Sequence, residues 1–301
     1  MKKLLVFAAI LTIVALASAP AFAFYVNVVE CRVAGGGQNP LYTQSGPAVS
    51  SGKSTAAPLA GWTGGTLSGT GNYYAGDTTP VKWGEWAFTP TTTGYYNVYG
   101  TWVNVTAAQN MPPTWTVRSA DADVTASPSQ TSGGNAWNLL ATGKKFIAGT
   151  TYKTKLATPG TNTAGKRASF DSVAWAASAP TAVTNTAPGN GATDIPLTGA
   201  GNDLTWTAGN FNSFFDVFCD VNPTPTTKVG ADLAGTVTSF DPDSLPLLSS
   251  TTYYWKVVAK NVDRSADGAI WSFKTVPEPG SMLALGTGLI GLFGFIRRRR
   301  A

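Results

Sequence analysis

The sequence predicts an all-β chain of two β-sandwich domains in tandem, the first jelly-roll-like, flanked by two targeting segments. Three observations predict it. Charged residues are only 12% of the chain, while glycines number 33 and aromatics reach 11%. Such a mix suits pleated, half-buried strands and tight turns. From Thr251 to Ala259 the residues Thr251, Tyr253, Trp255, Val257 and Ala259 alternate strictly, the period of a strand with one buried face. Between the two ends no long stretch of helical period carries Glu and Lys on an outer face. At 301 residues the chain is long enough for two cores.

Residues 1–23 form the first targeting segment. Met1-Lys2-Lys3 is positive, Leu4 to Ala17 is apolar, and Ala21-Phe22-Ala23 sets small residues two apart. That is the pattern of a secretory signal peptide cut after Ala23, so the exported chain begins at Phe24.

Residues 24–179 form the first domain. Phe24 to Val29 opens it as a strand. Further strand candidates are Trp83 to Phe88, Tyr95 to Val105, Thr114 to Arg118, Trp137 to Ala141, Tyr152 to Leu156 and Ser169 to Ala174. Runs this short between Gly-, Thr- and Pro-rich turns suggest a sandwich or jelly roll. Gly61 to Tyr74 is glycine-rich and reads as loop; Asp121-Ala122-Asp123 reads as a hairpin turn. Gly35-Gly36-Gly37 lacks the later glycine and lysine of a phosphate-binding loop.

Five pieces of this domain occur in order over about residues 60 to 176. They are Gly71-Asn72-Tyr73-Tyr74, Trp86-Ala87-Phe88-Thr89-Pro90, Gly94-Tyr95-Tyr96-Asn97-Val98-Tyr99, Trp137-Asn138-Leu139-Leu140 and Phe170-Asp171-Ser172-Val173. Together they resemble the golvesin or xanthan-lyase C-terminal type of module. The resemblance implies a non-catalytic β-sandwich appended to polysaccharide-active enzymes or surface proteins.

The small, uncharged stretch Ala176-Ala177-Ser178-Ala179-Pro180-Thr181 marks the boundary. Residues 180–275 form the second domain. Leu204 to Thr207 alternates as a strand, Phe215, Val217 and Cys219 share a face, and Ile270 to Phe273 closes the segment. Leu247 precedes Tyr253 by six residues. With Trp206, Trp255 and Trp271-Ser272-Phe273, that spacing resembles a fibronectin type III domain. Physically, a tyrosine at such a corner buries its ring and ties its hydroxyl to the backbone, fixing the crossover between sheets. The resemblance implies a domain that spaces or presents other modules.

Residues 276–301 form the second targeting segment. Pro277-Glu278-Pro279 precedes an uncharged run through Ile296, and Arg297, Arg298, Arg299 and Arg300 follow. The run is near the lower limit of about 17 residues for a spanning helix, and the arginines keep its far end cytoplasmic. The prolines hold the preceding backbone extended, as a processing enzyme needs. The three parts in this order resemble the PEP-CTERM sorting signal of Gram-negative bacteria. That resemblance implies an exosortase as partner and transient anchoring in the inner membrane. Removal of the tail then delivers the protein to the cell surface or extracellular matrix.

Composition excludes several chemistries. Histidine is absent, which removes Ser-His-Asp and Cys-His nucleophile systems and His-bearing zinc sites. The formal charge of +5 belongs to the targeting segments, because six of the 21 basic residues lie there and the remaining 15 face 16 acids. With no basic patch interleaved with aromatics, the chain does not read as a nucleic-acid binder. No cofactor is implied. Cys31 and Cys219 lie in different domains and read as two buried free thiols rather than one bridge.

Carboxylate-only hydrolysis survives this filter. Glu85, between Trp83 and Trp86, is the suggestive acid, yet on an alternating strand it shares a face with Trp83 and reads as an outward polar residue. Asp171 reads as tying down a loop, with a share in holding calcium as the lesser alternative. Binding fits better, since sugar C–H faces stack on the electron-rich faces of aromatic rings. Trp62, Tyr73, Tyr74 and Trp115 lie in or beside predicted loops and are the candidates for contact with exopolysaccharide or another surface glycan. The alternatives are a purely structural spacer or adhesin-like protein without a ligand, and a polysaccharide-degrading enzyme.

Overall fold

A computed structural model describes residues 26–32, 38–45, 49–50, 67, 72–75, 81–159, 165–199 and 201–277. In the first unit the strands are β1 (Val26–Glu30), β2 (Tyr42–Gln44), β3 (Val49–Ser50), β4 (Asn72–Ala75), β5 (Trp83–Phe88) and β6 (Gly94–Thr101). They continue with β7 (Thr114–Val117), β8 (Val124–Ala126), β9 (Asn138–Phe146), β10 (Tyr152–Ala157), β11 (Arg167–Phe170) and β12 (Ser172–Ala177). A four-stranded sheet, β1-β12-β6-β9, and a five-stranded sheet, β2-β5-β10-β7-β8, sandwich one core, and a small sheet, β11-β4-β3, stands beside them. All these pairings are antiparallel.

Alternation explains the packing. In β6, Tyr96 and Val98 are buried between less buried Tyr95, Asn97 and Tyr99. In β5, Trp86 and Phe88 enter the core from the opposite sheet. The core is mainly aromatic: Phe88 stacks on Trp175 at 4.8 Å, and Phe146 meets Tyr96 edge-on at 5.5 Å. Offset and edge-on ring pairs add to area burial because positive ring edges meet negative faces.

One expected strand is in fact two. Ser169 to Ala174 is divided at Asp171: β11 pairs with β4, while β12 pairs with β1 and β6 in another sheet. Asp171, fully buried, makes the switch. Its N–H donates to the Thr101 carbonyl, its own carbonyl accepts from Cys31, and its carboxylate accepts from the Ser172 hydroxyl. The expected strand Tyr95 to Val105 also ends early, at Thr101, beyond which Trp102 turns into the core. Asp121 and Asp123 do lie in the connection between antiparallel β7 and β8.

The second unit holds β13 (Thr184–Ala187), β14 (Ala192–Ile195), β15 (Leu204–Thr207), β16 (Phe214–Asp220) and β17 (Lys228–Ala234). β18 (Ser239–Phe240), β19 (Thr252–Asn261), β20 (Arg264–Asp267) and β21 (Trp271–Thr275) complete it. A small sheet, β13-β15-β18, and a larger one, β14-β21-β19-β16-β17 with β20 also on β19, enclose the second core. Only β14 and β21 run parallel. The alternation seen in sequence is the inner face of β19: Tyr253, Trp255, Val257 and Ala259 are all buried. The Tyr253 hydroxyl accepts a 2.9 Å hydrogen bond from the Leu248 N–H, and its ring stacks on Phe273 at 5.7 Å. Asp241 and Asp243 serve the backbone: Asp241 accepts from Asp243 N–H, and Asp243 accepts from Gly199 N–H and the Asn202 amide. Both cysteines are free and buried, and burial followed by the charge of Asp220 pushes the Cys219 thiol up to about 12.

The units meet at a polar joint. Asn261, fully buried, donates through Nδ2 to the carbonyls of Tyr95 (2.8 Å) and Ser178 (2.7 Å). Its Oδ1 accepts from the Tyr95 N–H (2.9 Å) and the Ser213 hydroxyl (3.0 Å). Arg264 donates to the Ala177 carbonyl. Phe211 lies 5.9 Å from the Tyr95 ring and covers Gly143, where a Cβ would sit 1.8 Å from the Phe211 ring. One amide thus satisfies groups from both units and from the linker, the arrangement that makes a buried polar contact specific.

Candidate functional site

Of the four residues predicted for glycan contact, the structure places Trp115 in the core and Tyr73 and Tyr74 in a strand. Trp62 lies outside the described residues. Tyr73 and Tyr74 are not in a loop: they belong to β4, paired with Ser169 and Ala168 of β11. Trp115 is corrected outright. It sits in β7 with no exposed surface, stacked on Trp86 at 5.3 Å and tilted against Trp102 at 6.3 Å. A ring with no exposed surface offers no face to a sugar. The prolines at 112 and 113 suggest loop at that point, but they end just before the strand starts.

What the fold does present is the outer face of the five-stranded sheet. Successive side chains of a strand point to opposite faces. With Trp86 and Phe88 in the core, Trp83, Glu85 and Ala87 of β5 face outward. On the neighbouring β10, Leu156 is buried and Lys153 and Lys155 face outward beside them. The register sets Lys155 opposite both Glu85 and Thr116, and Ala157 opposite Trp83 and Thr114. Thr43 of β2 stands opposite Glu85, and Thr125 of β8 opposite Thr116.

The chemistry of this face is amphipathic. The Lys155 ammonium lies 5.2 Å from the centre of the Trp83 ring, within the range of a cation–π contact. Lys153 pairs with Glu85 at 2.9 Å, and Glu85 retains only 9% of its surface. Threonine hydroxyls at 43, 114, 116 and 125 extend the face across the sheet. An indole, two ammonium groups, a carboxylate and a row of hydroxyls give stacking area, donors and acceptors on one rigid surface. The strands are legible in sequence, but nothing in the sequence marks Trp83 as outward-facing, because it stands at the start of a strand rich in apolar residues on both faces.

Three carboxylates of the first unit are engaged: Glu85 by Lys153, Asp121 by the Lys145 N–H, Asp171 at the sheet switch. Among the described residues no three His, Cys, Asp or Glu side chains gather into a group that would hold a metal ion.

Residues 275–300 match the PEP-CTERM protein-sorting motif. This motif implies processing by an exosortase, with export and transient anchoring of the C-terminal region in a membrane before delivery to the surface. Of its signature, Pro277 is described and Glu278, Pro279 and the arginines at 297–300 lie outside the described residues, as does the signal peptide at 1–23. Among the described residues no helix is long and apolar enough to cross a membrane.

A search of curated proteins gives no match. Among solved structures the chain is similar to Paenibacillus xanthan lyase, with a TM-score of 0.40 and 19% identity over 53% of this chain and 13% of that one. It is similar to the adhesin domain of Epf from Streptococcus pyogenes, with a TM-score of 0.38 and 10% identity over 70% of this chain and 77% of that one. A β-1,2-glucanase from Parabacteroides distasonis follows at 0.25 and 12%, over 80% of this chain and 37% of that one. The chain thus spans a small part of the two enzymes.

Proposed function

We propose that this chain is a non-catalytic surface or extracellular-matrix protein that associates with exopolysaccharide through the outer face of its five-stranded sheet. The observation that carries the reading is the sorting motif at residues 275–300, which sends the folded part to the surface where such polymers lie. The sheet face supplies the contact chemistry: Trp83 for stacking, Lys155 and the Lys153–Glu85 pair for orientation, threonines for hydrogen bonds. In this reading the second unit is a fibronectin type III-like spacer, consistent with the Tyr253 hydroxyl bonded to the Leu248 N–H. Residues 24–179 and 180–275 are the two domains.

The test is incubation of host-processed protein with the host's exopolysaccharide, assaying sedimentation with the polymer and release of reducing sugar together. Co-sedimentation without sugar release is expected. Sugar release would establish a polysaccharide-degrading enzyme.

A second reading rests on a specific observation: Lys153 and Glu85 already satisfy one another, and Lys155 already covers Trp83. A face complete in itself suits a structural spacer without a ligand. Absence of the protein from the polymer pellet would favour it.

A further inference from the structure

The last strand of the second unit leads directly into the sorting motif. The matched residues begin at 275, and Thr275 is still folded. It is buried, pairs with Ile195 of β14, and donates its N–H to the Thr251 carbonyl. Val276 is held through both backbone groups: its N–H donates to the Ile195 carbonyl at 2.9 Å, and its carbonyl accepts from the Ser250 N–H at 3.0 Å. The hydrogen-bonded fold thus extends to the residue before Pro277. Pro277, Glu278 and Pro279 alone separate Val276 from Gly280, where the uncharged run begins. Fully extended, that stretch covers at most about 14 Å, and a bilayer's head-group layer takes up about 5–7 Å on each side of the hydrocarbon core. A membrane that holds the run therefore holds the second unit against its surface.

Strand β19 defines the two ends of that unit. Its first residue, Thr252, pairs with Lys274 at the tail end; its last, Asn261, makes the joint with the first unit. A strand of this length spans about 30 Å. Leu248, 63% exposed, and Val221, 58% exposed, are the most exposed large hydrophobic side chains among the described residues, and both stand at the tail end. Leu248 is fixed there by its N–H, donated to the Tyr253 hydroxyl, and by its carbonyl, which accepts from the Thr275 hydroxyl. Val221 follows Asp220, whose partner across the sheet is Tyr254. The Asp220 carboxylate accepts from the N–H groups of Asn222, Thr226 and Thr227 and so holds the turn that presents Val221.

Segments 221–227 and 245–251, which carry these two side chains, contain no charged residue. Beside them stand charges of both signs, Asp194, Asp220 and Lys274. One exposed aliphatic residue on a surface needs no explanation. Two on rigid turns, at the end that a short tether brings to lipid, fit a contact with the bilayer.

We infer that, while the sorting tail is uncut, the second unit rests its tail end on the lipid surface, with Leu248 and Val221 in the head-group layer. It then stands as a strut that holds the first unit about 30 Å off the membrane. Cutting the tail releases the contact, because the hold on lipid scales with buried apolar area and two aliphatic side chains supply little. The inference rests on the sorting motif and is independent of the glycan reading of the sheet face.

The experiment uses the precursor that keeps its tail, inserted in phosphatidylcholine vesicles containing a lipid with a nitroxide head group, which quenches fluorescence on contact. Cys31 and Cys219 are buried, so a fluorophore attached to Leu248→Cys or, separately, to Ser265→Cys reports from one place. Ser265 is exposed and pairs with Lys260, near the joint. Quenching at residue 248 is expected to exceed that at residue 265 at least about threefold, because the second label stands most of the length of β19 farther from lipid. Val221→Cys should behave as Leu248→Cys does, and it decides if Leu248→Cys fails to fold. Host-processed protein, which has lost its tail, should show no more quenching at residue 248 than at residue 265. Equal quenching at the two residues in the precursor would overturn the inference, as would quenching at residue 248 that persists in host-processed protein. Shielding of residue 248 in host membranes with no quenching in vesicles would put a protein rather than lipid against this end, and would equally overturn it.

Discussion

The indole of Trp115 stacks on that of Trp86, ring centroids 5.3 Å apart, and so ties β7 to β5 across the intervening β10 in the middle of the first core. Both rings are wholly buried. Trp115→Ala should therefore destabilise the first unit by about 3–5 kcal/mol, the range for removing a large core aromatic. Denaturant unfolding followed by fluorescence measures it, and a change within about 0.5 kcal/mol, as at an open surface position, would contradict the packing described.

In the second unit the corner bond gives two graded outcomes. Tyr253→Phe leaves the Leu248 N–H without its acceptor and should cost about 1 kcal/mol. Tyr253→Ala also removes the ring that stacks on Phe273 and should cost about 3–5 kcal/mol. Thermal melts of wild type and both variants check the order, and an equal effect of the two substitutions would remove the hydroxyl from the account.

The joint depends on a glycine for a steric reason. Gly143 has φ of 54°, and any Cβ there would collide with the Phe211 ring at 1.8 Å. Gly143→Val should displace Phe211 from Tyr95 and loosen the units. Limited proteolysis should then cut the linker near residues 178–183 much faster than in wild type. Unchanged cleavage would show that Phe211 is not needed to hold the joint.

Acid should weaken the second unit through one buried carboxylate. Burial alone would raise Asp216, but the N–H of Asp232 and the ammonium groups of Lys228 and Lys260 outweigh it and hold its carboxyl below the usual range. A carboxyl lowered in the folded state lends stability that is full above its unfolded-state value and is lost as pH falls through the folded-state value. Lys260, for which burial opposes but Asp232 and Asp216 prevail, is raised, so its share is full at neutral pH and lost only in strong alkali. Asp216→Asn should flatten the dependence of stability on pH below about 4, measured by urea unfolding at a series of pH values. An unchanged slope would remove Asp216 as its source.

The legible parts of the fold were those with one wet face. The strand along β19 alternates because its sheet has one wet face, so burial imprints period two on the sequence. The division at Asp171 left no such imprint. It is made by hydrogen bonds to Thr101 and Cys31, which are distant in sequence. β17, outermost in its sheet, is mostly exposed and so carries no apolar pattern to read. The site was legible only in kind. Sequence alone does not tell a buried aromatic from an outward one: burial separates Trp115 from Trp83, and burial follows from which sheet face each strand turns inward.

If the exported protein holds exopolysaccharide on the outer face of the five-stranded sheet, as proposed, Trp83 is the residue on which the contact depends. The measurement is the binding isotherm of host-processed protein on the host's exopolysaccharide, wild type against Trp83→Ala, with melting temperatures taken on the same samples. Loss of the stacking ring should weaken retention at least about tenfold, equivalent to ~1.4 kcal/mol. The melting temperature should move little, because this side chain lies on the outer face rather than in the core. Salt should change the isotherm only slightly, since the chain between the targeting segments is close to neutral. Retention of Trp83→Ala at wild-type affinity would contradict the account.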